Sequence, residues 1–352
     1  MMEDEEKGSS SHGGFFAVDA QSWRHVCGDG INAAVAYLVM CRGSGGDNRT
    51  TRWSVAAVEK YTEISRPRAK AAIQTLEQKG RIERIRGGRN PIYKIGLQGA
   101  SDAEPDWIWL PNSIVDGAGD ETPPVERLRA RKDPFTLWFF VSLYSLHHLA
   151  TDGGIEWRPD HGMRVVHYFE KVSEWGQYNV MAYSSALAER PDQFIPTGDF
   201  MGHSADQVSP AVSTLWQLGY LENIPYLVDS DSDDGEIVHP LDGSLEAEEE
   251  LGKAARAAAL AMMPDWRKEL PDFDQEGALV PVHRNLVKAT VIGIFRLRYR
   301  PHTAATARWA KKLEDWQDIA GEFRKTTDAI YGKSVNDYSS MQYQGELKVD
   351  QW

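Results

Sequence analysis

The clearest hydrophobic pattern in the chain lies between Ser65 and Gly80, in the segment SRPRAKAAIQTLEQKG. Apolar side chains recur there at spacings of three and four residues, at Ala69, Ala72, Ile73 and Leu76. This spacing places them on one face of a helix and predicts that the face is buried. Ser65 is predicted to cap the helix with its hydroxyl group, and Gly80 to end it.

Elements on both sides of this helix complete a small module. Two alternating runs, RIERIR (81–86) and PIYKI (91–95), are joined by GGRN, which predicts a β-hairpin. Upstream, residues 31–41 form an apolar segment and residues 54–61 a short amphipathic one, and each segment predicts a helix. The predicted order is therefore helix, helix, helix, hairpin.

Charge changes the interpretation of this module. The chain has a net charge of −13, but residues 15–98 contain 14 Lys and Arg against 7 Asp and Glu. Residues 222–250, in contrast, contain 11 acidic residues and no Lys or Arg. A basic N-terminal module joined to an acidic body predicts a localised binding site for a polyanion.

The order helix, helix, helix, hairpin, with SRPRAKAAIQTLEQKGRIER as the third helix and the start of the hairpin, resembles the winged helix-turn-helix family of bacterial DNA-binding proteins. The resemblance covers residues 15–98. In that family the third helix enters the major groove, and the hairpin, or wing, lies on the flanking backbone or minor groove. The resemblance implies that four side chains of the third helix face DNA: Arg66, Arg68, Lys70 and Gln74. Glutamine is suited to an adenine edge and arginine to guanine. The resemblance implies phosphate contacts from the wing by Arg84, Arg86 and Arg89, and peripheral contacts by Arg49, Arg52 and Lys60.

Two other interpretations of the same stretch stay open. A run of charged residues is often only the solvated face of a helix, here beside a surface hairpin. Some winged helices also bind protein and not DNA. The basic residues favour DNA because they are predicted on the face opposite the apolar stripe and again at the tip of the hairpin.

A second segment of the chain repeats this pattern. Residues 204–224, SADQVSPAVSTLWQLGYLENI, align with residues 65–85 at an offset of 139, with eight identities in 21 positions. The apolar stripe is preserved, so the alignment predicts a repeat of the fold. An apolar helix is predicted before this segment at 134–149, and a wing after it at 225–240.

The second copy differs from the first in charge. Its helix has no Lys or Arg, and acidic residues fill its predicted wing: Asp229, Asp231, Asp233, Asp234 and Glu236. Phosphate would be repelled there, so one interpretation is protein contact or dimerisation, and the other is a scaffold with an acidic loop. Tandem winged helices resemble plasmid replication initiators, although both domains of those proteins are usually basic.

The predicted fold class is mainly α with small β-wings, built from two tandem winged helix-turn-helix domains plus C-terminal helices. The predicted order is a mobile tail (1–14), the basic DNA-binding domain (15–98), a linker (99–133), the acidic winged-helix-like domain (134–241), a helical region (242–330) and a tail (331–352). WIWLP, inside the linker, is predicted as a docked strand. A helix predicted at 303–330 is expected to pack on its own domain or to pair across a homodimer, through Trp309, Leu313, Trp316, Phe323 and Ile330.

The sequence contains no constellation typical of an enzyme, and neither a cofactor nor a metal site is predicted. There is no P-loop, no HExxH motif and no paired CxxC motif. The two cysteines, Cys27 and Cys41, favour a reduced, cytosolic protein. A run of about 18 apolar residues, which a membrane span requires, is absent as well.

The sequence therefore predicts a cytoplasmic, nucleoid-associated homodimer that binds double-stranded DNA and regulates transcription, of bacterial or mobile-element type. A protein partner on the acidic second domain is also compatible with the charge pattern. Two alternatives stay open: a plasmid or phage replication initiator or partition-type protein, and a protein-interaction module or inhibitor whose acidic face imitates DNA. The three predictions differ in what is bound: promoters, repeats at an origin, or a protein.

Overall fold

In the computed structural model, the described residues are 14–97, 104–119, 121–147, 154–155, 165–175, 178–183, 201–228, 237–240, 257–261, 279–283 and 290–300. The chain forms two compact units. Unit 1 comprises Met1–Tyr168, Ser184–Ile224 and Ile292–Trp309. Unit 2 comprises Phe169–Tyr183, Pro225–Val291 and Ala310–Trp352.

Four helices form the N-terminal half of unit 1: α1 (Ala20–Gly28), α2 (Ile31–Arg42), α3 (Val55–Thr62) and α4 (Arg66–Gln78). The helices predicted at 31–41, at 54–61 and after Ser65 are confirmed. The sequence-based prediction lacks α1, which begins after Asp19. The Asp19 carboxylate accepts hydrogen bonds from the backbone N–H and the hydroxyl of Ser22, at 2.8 and 2.7 Å, and so caps the helix.

The apolar face of α4 is buried as predicted, with exposed fractions of 5% or less at Ala69, Ala72, Ile73 and Leu76. Ser65 occupies the N-cap position, and its carbonyl oxygen accepts the Ala69 N–H at 2.9 Å, but its hydroxyl makes no capping hydrogen bond. The predicted hydroxyl cap is therefore wrong. Ser65 is exposed, so water can satisfy the free N–H groups of the first turn.

An antiparallel sheet with the strand order β2–β4–β3 accompanies these helices. Its strands are β2 (Thr50–Thr51), β3 (Ile82–Arg86) and β4 (Ile92–Ile95). β3 and β4 form the predicted hairpin, in which Ile82 lies opposite Ile95. Both of these isoleucines are buried, so the hairpin is attached to the core at its base.

The segment predicted as a linker contributes to the core of unit 1. WIWLP is confirmed as strand β5 (Trp107–Pro111), which pairs antiparallel with β1 (Phe15–Asp19). Two short helices follow it, α5 (Ser113–Asp116) and α6 (Pro124–Ala130). Apolar side chains from these three elements are buried: Ile108, Leu110, Ile114, Val115, Val125 and Leu128. Hydrophobic burial therefore fixes this part of the chain.

Helix α2 lies at the centre of that core. Its residues 33–41 are all buried, and a helix that is apolar on every side needs neighbours on every side. α1, α3, α4 and α6 pack against it. The core continues beyond residue 133, because the indole N–H of Trp23 donates to the carbonyl oxygen of Trp138 at 3.3 Å.

The second half of unit 1 begins with α7 (Pro134–Ser142), followed by a 3₁₀ turn at Leu143–Leu146. The helix predicted at 134–149 is therefore too long. The hydroxyl of Ser142 donates to the Trp138 carbonyl at 2.8 Å, and that of Ser145 donates to the Ser142 carbonyl at 2.7 Å. Such bonds compete with the helical backbone bonds, and the chain leaves the turn in an extended conformation at His147.

The two segments of the predicted repeat have the same local structure, a helix followed by a strand. α8 (Ala205–Gln217) starts and ends at the offset of 139 from α4, and β8 (Leu221–Val228) starts at that offset from β3. The apolar stripe of α8 is buried as in α4, with exposed fractions of 1% or less at Val208, Ala211, Val212 and Leu215. α8 packs against α7.

The strands of the second repeat follow the plan of the first. β8 lies next to β11 (Thr290–Leu297) in the strand order, as β3 lies next to β4. The Arg298 N–H donates to the Tyr220 carbonyl at 3.1 Å, and at the corresponding place in the first repeat the Gly96 N–H donates to the Arg81 carbonyl at 2.8 Å. The strand that lies beside β8 in unit 1 is therefore β11, which is separated from β8 by a long stretch of the chain.

The wing predicted at 225–240 accounts for only one of the two neighbours of β8, which are β9 and β11. β8 does pair with β9 (Ile237–Pro240) in unit 2, so a hairpin is present there. Within unit 1, however, β11 takes the place that β4 has in the first repeat, and it is bridged to the short segment 154–155 through Gly154 and Arg296. That bridge corresponds to the pairing of β2 with β4.

Unit 2 is inserted twice into the second repeat. The chain leaves unit 1 within β6 (Val165–Trp175) and again within β8, and it returns after Tyr183 and within β11. In unit 2, β10 (Leu279–His283), β7 (Tyr178–Tyr183) and β6 form an antiparallel sheet in that order. Residues 257–261 are helical.

Several predicted features lie outside the described residues and stay predictions. They are the N-terminal tail up to residue 13, the acidic residues 229–236, the helix at 303–330 and the C-terminal tail. The predicted dimerisation residues belong to this group: Trp309, Leu313, Trp316, Phe323 and Ile330.

Both cysteines are free thiols inside the core. Burial is the main cause that raises the pKa of Cys27 and of Cys41. Within the described part of the chain, the helices are too short or too polar to cross a membrane.

Candidate nucleic-acid interface

The predicted DNA-facing residues of α4 all lie on its exposed surface. The buried stripe fixes which side of α4 faces the core. In the N-terminal half of the helix, the only buried residues are Ala69 and Ala72. The side chains that the sequence singles out are accordingly open to solvent: Arg66, Arg68, Lys70 and Gln74. The structure therefore brings these four together on one helix, available to a ligand.

Of these four residues, Arg66 has a partner within the protein. Its Nη1 lies 3.3 Å from Oε2 of Glu59 on α3, and the two side chains are 70% and 43% exposed. An ion pair this exposed is worth at most about 1 kcal/mol, so Arg66 can exchange Glu59 for a phosphate. The side chains of Arg68, Lys70 and Gln74 form no hydrogen bond or ion pair with the described residues.

The first turns of α4 carry cations where helices usually carry acids. Arg66, Arg68 and Lys70 are within the first five residues of the helix, and its first turn contains no acidic residue. The N-terminus of a helix has a partial positive charge, so a cation in the first turn, such as Arg66 or Arg68, costs up to about 1 kcal/mol at low ionic strength, and Lys70 in the second turn costs less. A bound anion would offset this cost, because it interacts favourably with both the cations and the free N–H groups.

The β3–β4 hairpin presents a second group of cations. The register shifts between Arg84 and Arg86, and all residues from Glu83 to Arg86 are exposed. Such an irregularity twists a strand and redirects its side chains. Arg86 donates from Nη2 to the Asn90 carbonyl at 3.3 Å across the turn, and Arg89 is exposed at the turn itself.

Arg84 connects the hairpin to the end of α4. Its Nη2 lies 2.7 Å from Oε2 of Glu77, and its guanidinium carbon is 5.5 Å from the ring centroid of Tyr93. Interaction with Tyr93, and after it with Glu77, raises the pKa of Arg84. The hairpin is therefore oriented relative to α4 by a charged contact, and Arg84 is less free to bind phosphate than Arg86 or Arg89.

The predicted peripheral residues flank β2 and the end of α3. Arg49 is half-buried and Arg52 exposed on either side of β2, which pairs with β4 of the hairpin. The Arg49 Nε is buried and makes no hydrogen bond with the described residues. Lys60 is exposed, and its Nζ lies 4.9 Å from the ring centroid of Tyr61. Arg49 and Arg52 thus lie next to a strand of the same sheet as the hairpin, whereas Lys60 is on α3.

Three further exposed polar residues belong to this surface and are missing from the sequence-based prediction: Gln78, Lys79 and Lys94. Gln78 and Lys79 end α4, and Lys94 lies on β4 opposite Glu83. Helical spacing was the available signal for the first two, because Gln78 follows Gln74 by four residues and Lys79 follows Arg68 by eleven.

The equivalent helix of the second repeat lacks this chemistry. At the offset of 139, the positions of the three early cations of α4 are occupied by Ala205, Gln207 and Ser209. The first turn of α8 contains Asp206, which suits the positive end of a helix. The two helices therefore share a scaffold and differ in the one property that would hold a polyanion.

Within the described residues, no group of three or more His, Cys, Asp and Glu is placed to hold a metal ion. No protein-family model matches the chain, and no curated protein or solved structure matches it at a significant level. The resemblance to winged-helix proteins thus has its support in the residues of α4 and the hairpin and in the elements around them.

Proposed function

We propose that the protein binds double-stranded DNA sequence-specifically through α4 and the β3–β4 hairpin, as a transcription regulator of bacterial or mobile-element type. In this proposal residues 15–98 act as a winged helix, with α4 in the major groove and the hairpin along the flanking backbone. The second repeat, built on the same scaffold without the cations, serves assembly or a protein partner. The protein acts as a cytoplasmic, nucleoid-associated homodimer.

One observation carries this proposal: three cations in the first turns of α4, where the helix itself is better stabilised by acids. The second repeat has the common arrangement, with Asp206 in the first turn of α8. Stability therefore does not explain the charges of α4, whereas an anionic ligand does. The exposed arginines of the hairpin extend the same positive surface beyond one helix, as a duplex with its row of phosphates requires.

The decisive experiment is selection of bound duplexes from a random DNA pool with the full chain. We expect the protein to enrich a motif, and a palindromic motif if it is a homodimer. The Arg66→Ala/Arg68→Ala variant should bind every duplex too weakly to enrich a motif. The matched control is Arg24→Ala/Arg131→Ala, which removes the same charge from two exposed positions on α1 and after α6 and should recover the same motif. A folded protein that enriches no duplex would overturn the proposal.

The hairpin is tested by the salt dependence of binding to the selected duplex. If Arg86 and Arg89 contact phosphates, Arg86→Ala and Arg89→Ala should each weaken binding to all duplexes alike. Each should also reduce the slope of log K against log salt by about one. Fluorescence anisotropy at several salt concentrations measures both effects. An unchanged slope in both variants would remove the hairpin from the interface.

A second candidate function is replication initiation from a plasmid or phage origin. The observation that favours it is the match of α8 and β8 with α4 and β3 in position, burial and strand plan, because tandem winged helices are similar to that class of protein. The genomic position of the selected motif separates the two candidates. Single sites beside promoters indicate a regulator, and tandem copies in an origin indicate an initiator.

A further inference from the structure

The exposed surface of α4 is divided into three lines that differ in charge. Residues spaced by three, four or eleven positions lie on one line of a helix. The middle line is uncharged and contains Pro67, Ala71, Gln74 and Gln78, all exposed. One flank carries Arg66 and Lys70, followed by Glu77, and the other flank carries Arg68 and Lys79 with Thr75 between them.

The buried stripe decides which line points away from the protein. Ala69 and Ile73 lie in the core, and Ala71 follows Ala69 by two residues, which is about half a turn of helix. The middle line is therefore the outermost line of α4. The Arg66–Glu59 contact confirms that the first flank turns back towards α3, since the two atoms are 3.3 Å apart.

A major groove imposes different chemistry on these three lines. The groove is about 12 Å wide, and a helix with its side chains is about 10–12 Å across, so the helix fills it. Its outermost line then meets the base edges, and its two flanks meet the phosphates of the two strands. Uncharged side chains between two pairs of cations are the arrangement that such a groove accommodates.

We infer that Gln74 and Ala71 read A·T base pairs in the major groove, while Arg66, Lys70, Arg68 and Lys79 hold the phosphates on either side. The inference rests on the proposed DNA binding and adds which residues give it specificity. A glutamine amide pairs with N6 and N7 of adenine, and an alanine methyl contacts the methyl group of thymine. Three residues of helix rise about 4.5 Å, so both side chains reach the same or neighbouring base pairs.

The arginines are poorly placed to be the base readers. Recognition of guanine by arginine needs the guanidinium to reach O6 and N7 at the base edge. Arg66 and Arg68 lie on opposite flanks, about 160° apart around the helix axis, so each is roughly a quarter turn away from the outermost line. Both are positioned to contact opposite walls of the groove.

Helix α8 of the second repeat has the same scaffold as α4 but lacks its flanking cations, so it serves as a comparison. Its middle line, Asp206, Pro210, Ser213 and Gln217, is exposed as in α4. Its flanks contain no cation, and Leu218 at the place of Lys79 is buried. Cations are thus present on both flanks of the helix that we assign to DNA and on neither flank of its counterpart.

The first test changes the DNA and leaves the protein intact. In the selected duplex, 7-deazaadenine replaces adenine one position at a time and removes only the N7 acceptor. We expect one adenine at which this lowers affinity roughly 5- to 100-fold. Deoxyuridine in place of a thymine at the same or the next base pair should lower it about fourfold, the equivalent of one methyl group. If neither substitution affects binding at any position, the inference is overturned.

The second test changes the preferred base through the protein. Lysine recognises guanine, so Gln74→Lys should shift the selected motif from A·T to G·C at that one base pair. The control is Ser213→Lys at the equivalent exposed position of α8, which should leave the motif unchanged. Arg66→Ala and Arg68→Ala should weaken all duplexes alike, with the salt slope reduced by about one each.

The outcomes separate this inference from the proposed function. If Arg66→Ala or Arg68→Ala changes the preferred base while Gln74→Lys does not, the arginines read the bases and only the inference is overturned. If the unmodified protein enriches no duplex at all, the proposed function fails and the inference with it. A shift of the motif by Gln74→Lys alone supports both.

Discussion

At the scale of single residues, two ion pairs of the N-terminal half have opposite environments. Arg81 Nε lies 2.8 Å from Oδ2 of Asp29, and the side chains are only 13% and 8% exposed. The Arg66–Glu59 pair on the candidate interface is 70% and 43% exposed. The first pair links the start of the hairpin to the turn between α1 and α2, so we assign it a structural role. The second is open to exchange with a ligand.

Removing one member of each pair should therefore have different effects on stability. Arg81→Met leaves the Asp29 carboxylate largely buried without its partner, and we expect it to lower the free energy of unfolding by about 2–3 kcal/mol. Arg66→Met should change it by about 0.5 kcal/mol or less, because loss of the exposed ion pair is opposed by removal of a cation from the first turn of α4. Urea unfolding followed by tryptophan fluorescence measures both variants. Equal effects would show that burial of the Arg81–Asp29 pair contributes nothing to the free energy of unfolding.

At the scale of elements, α4 and α8 end in the same way. After each helix a glycine adopts a left-handed conformation, with φ of 68° at Gly80 and 69° at Gly219. The N–H of the following residue bonds back to a helix carbonyl, from Arg81 to Leu76 at 2.8 Å and from Tyr220 to Leu215 at 2.9 Å. This is the Schellman motif, which directs the chain from the helix into the next strand.

Substitution of either glycine should be costly for its backbone conformation alone. Gly80→Ala and Gly219→Ala each place a side chain at a left-handed position, and we expect each to cost about 1–2 kcal/mol in thermal or urea unfolding. No heavy atom would clash with the added methyl group at either site. Gly28→Ala is the control, because Gly28 lies in α1 without a positive φ and with open space around it. It should be neutral or stabilising. A destabilised control would point to a general intolerance of alanine.

The elements also show what the sequence predicts well. The periodicity around Ala69 and Leu76 predicts α4, its buried face and hence the exposure of Arg68 and Gln74, because all of these depend on local spacing. Local spacing cannot reveal that Glu59 and Glu77 contact the arginines, since those contacts join separate elements. For the same reason the pairing of β1 with β5, and the place of β11 beside β8, are not predicted. Helix α1 could have been predicted from Asp19, because aspartate is favoured at the N-cap position.

At the scale of the whole molecule, the basic module shares its core with the chain that follows it. β1 has β5 as its partner strand, with Ala17 opposite Trp109. Trp23 of α1 is fully buried and bonds to Trp138 of α7. A helix such as α2, apolar on all sides, depends on this cover. Residues 15–98 contain the candidate interface but not all of the core that supports it.

A fragment that ends at residue 98 should therefore fold poorly, although it contains the whole candidate interface. It lacks β5, α6 and α7, and it exposes Trp23 and one edge of β1. We expect it to unfold without clear cooperativity and at lower urea than the full chain, and to bind the selected duplex weakly. The fragment 1–147, which restores these elements, is the comparison. Cooperative unfolding of the shorter fragment, with a buried Trp23, would show that the module is self-sufficient.

The path of β11 has a consequence for how the protein is made. β11 pairs with β6 within unit 1, with Ile292 opposite Tyr168, so a strand near the end of the chain completes a unit that begins at the N-terminus. Ribosomes add about 5–20 residues per second, so about 10–40 s pass between release of the hairpin and release of β11. During that time the nascent chain carries its positive surface while part of its hydrophobic core is still uncovered. Slower synthesis, at low temperature, should prolong this exposed stage and increase the demand for chaperones on the ribosome.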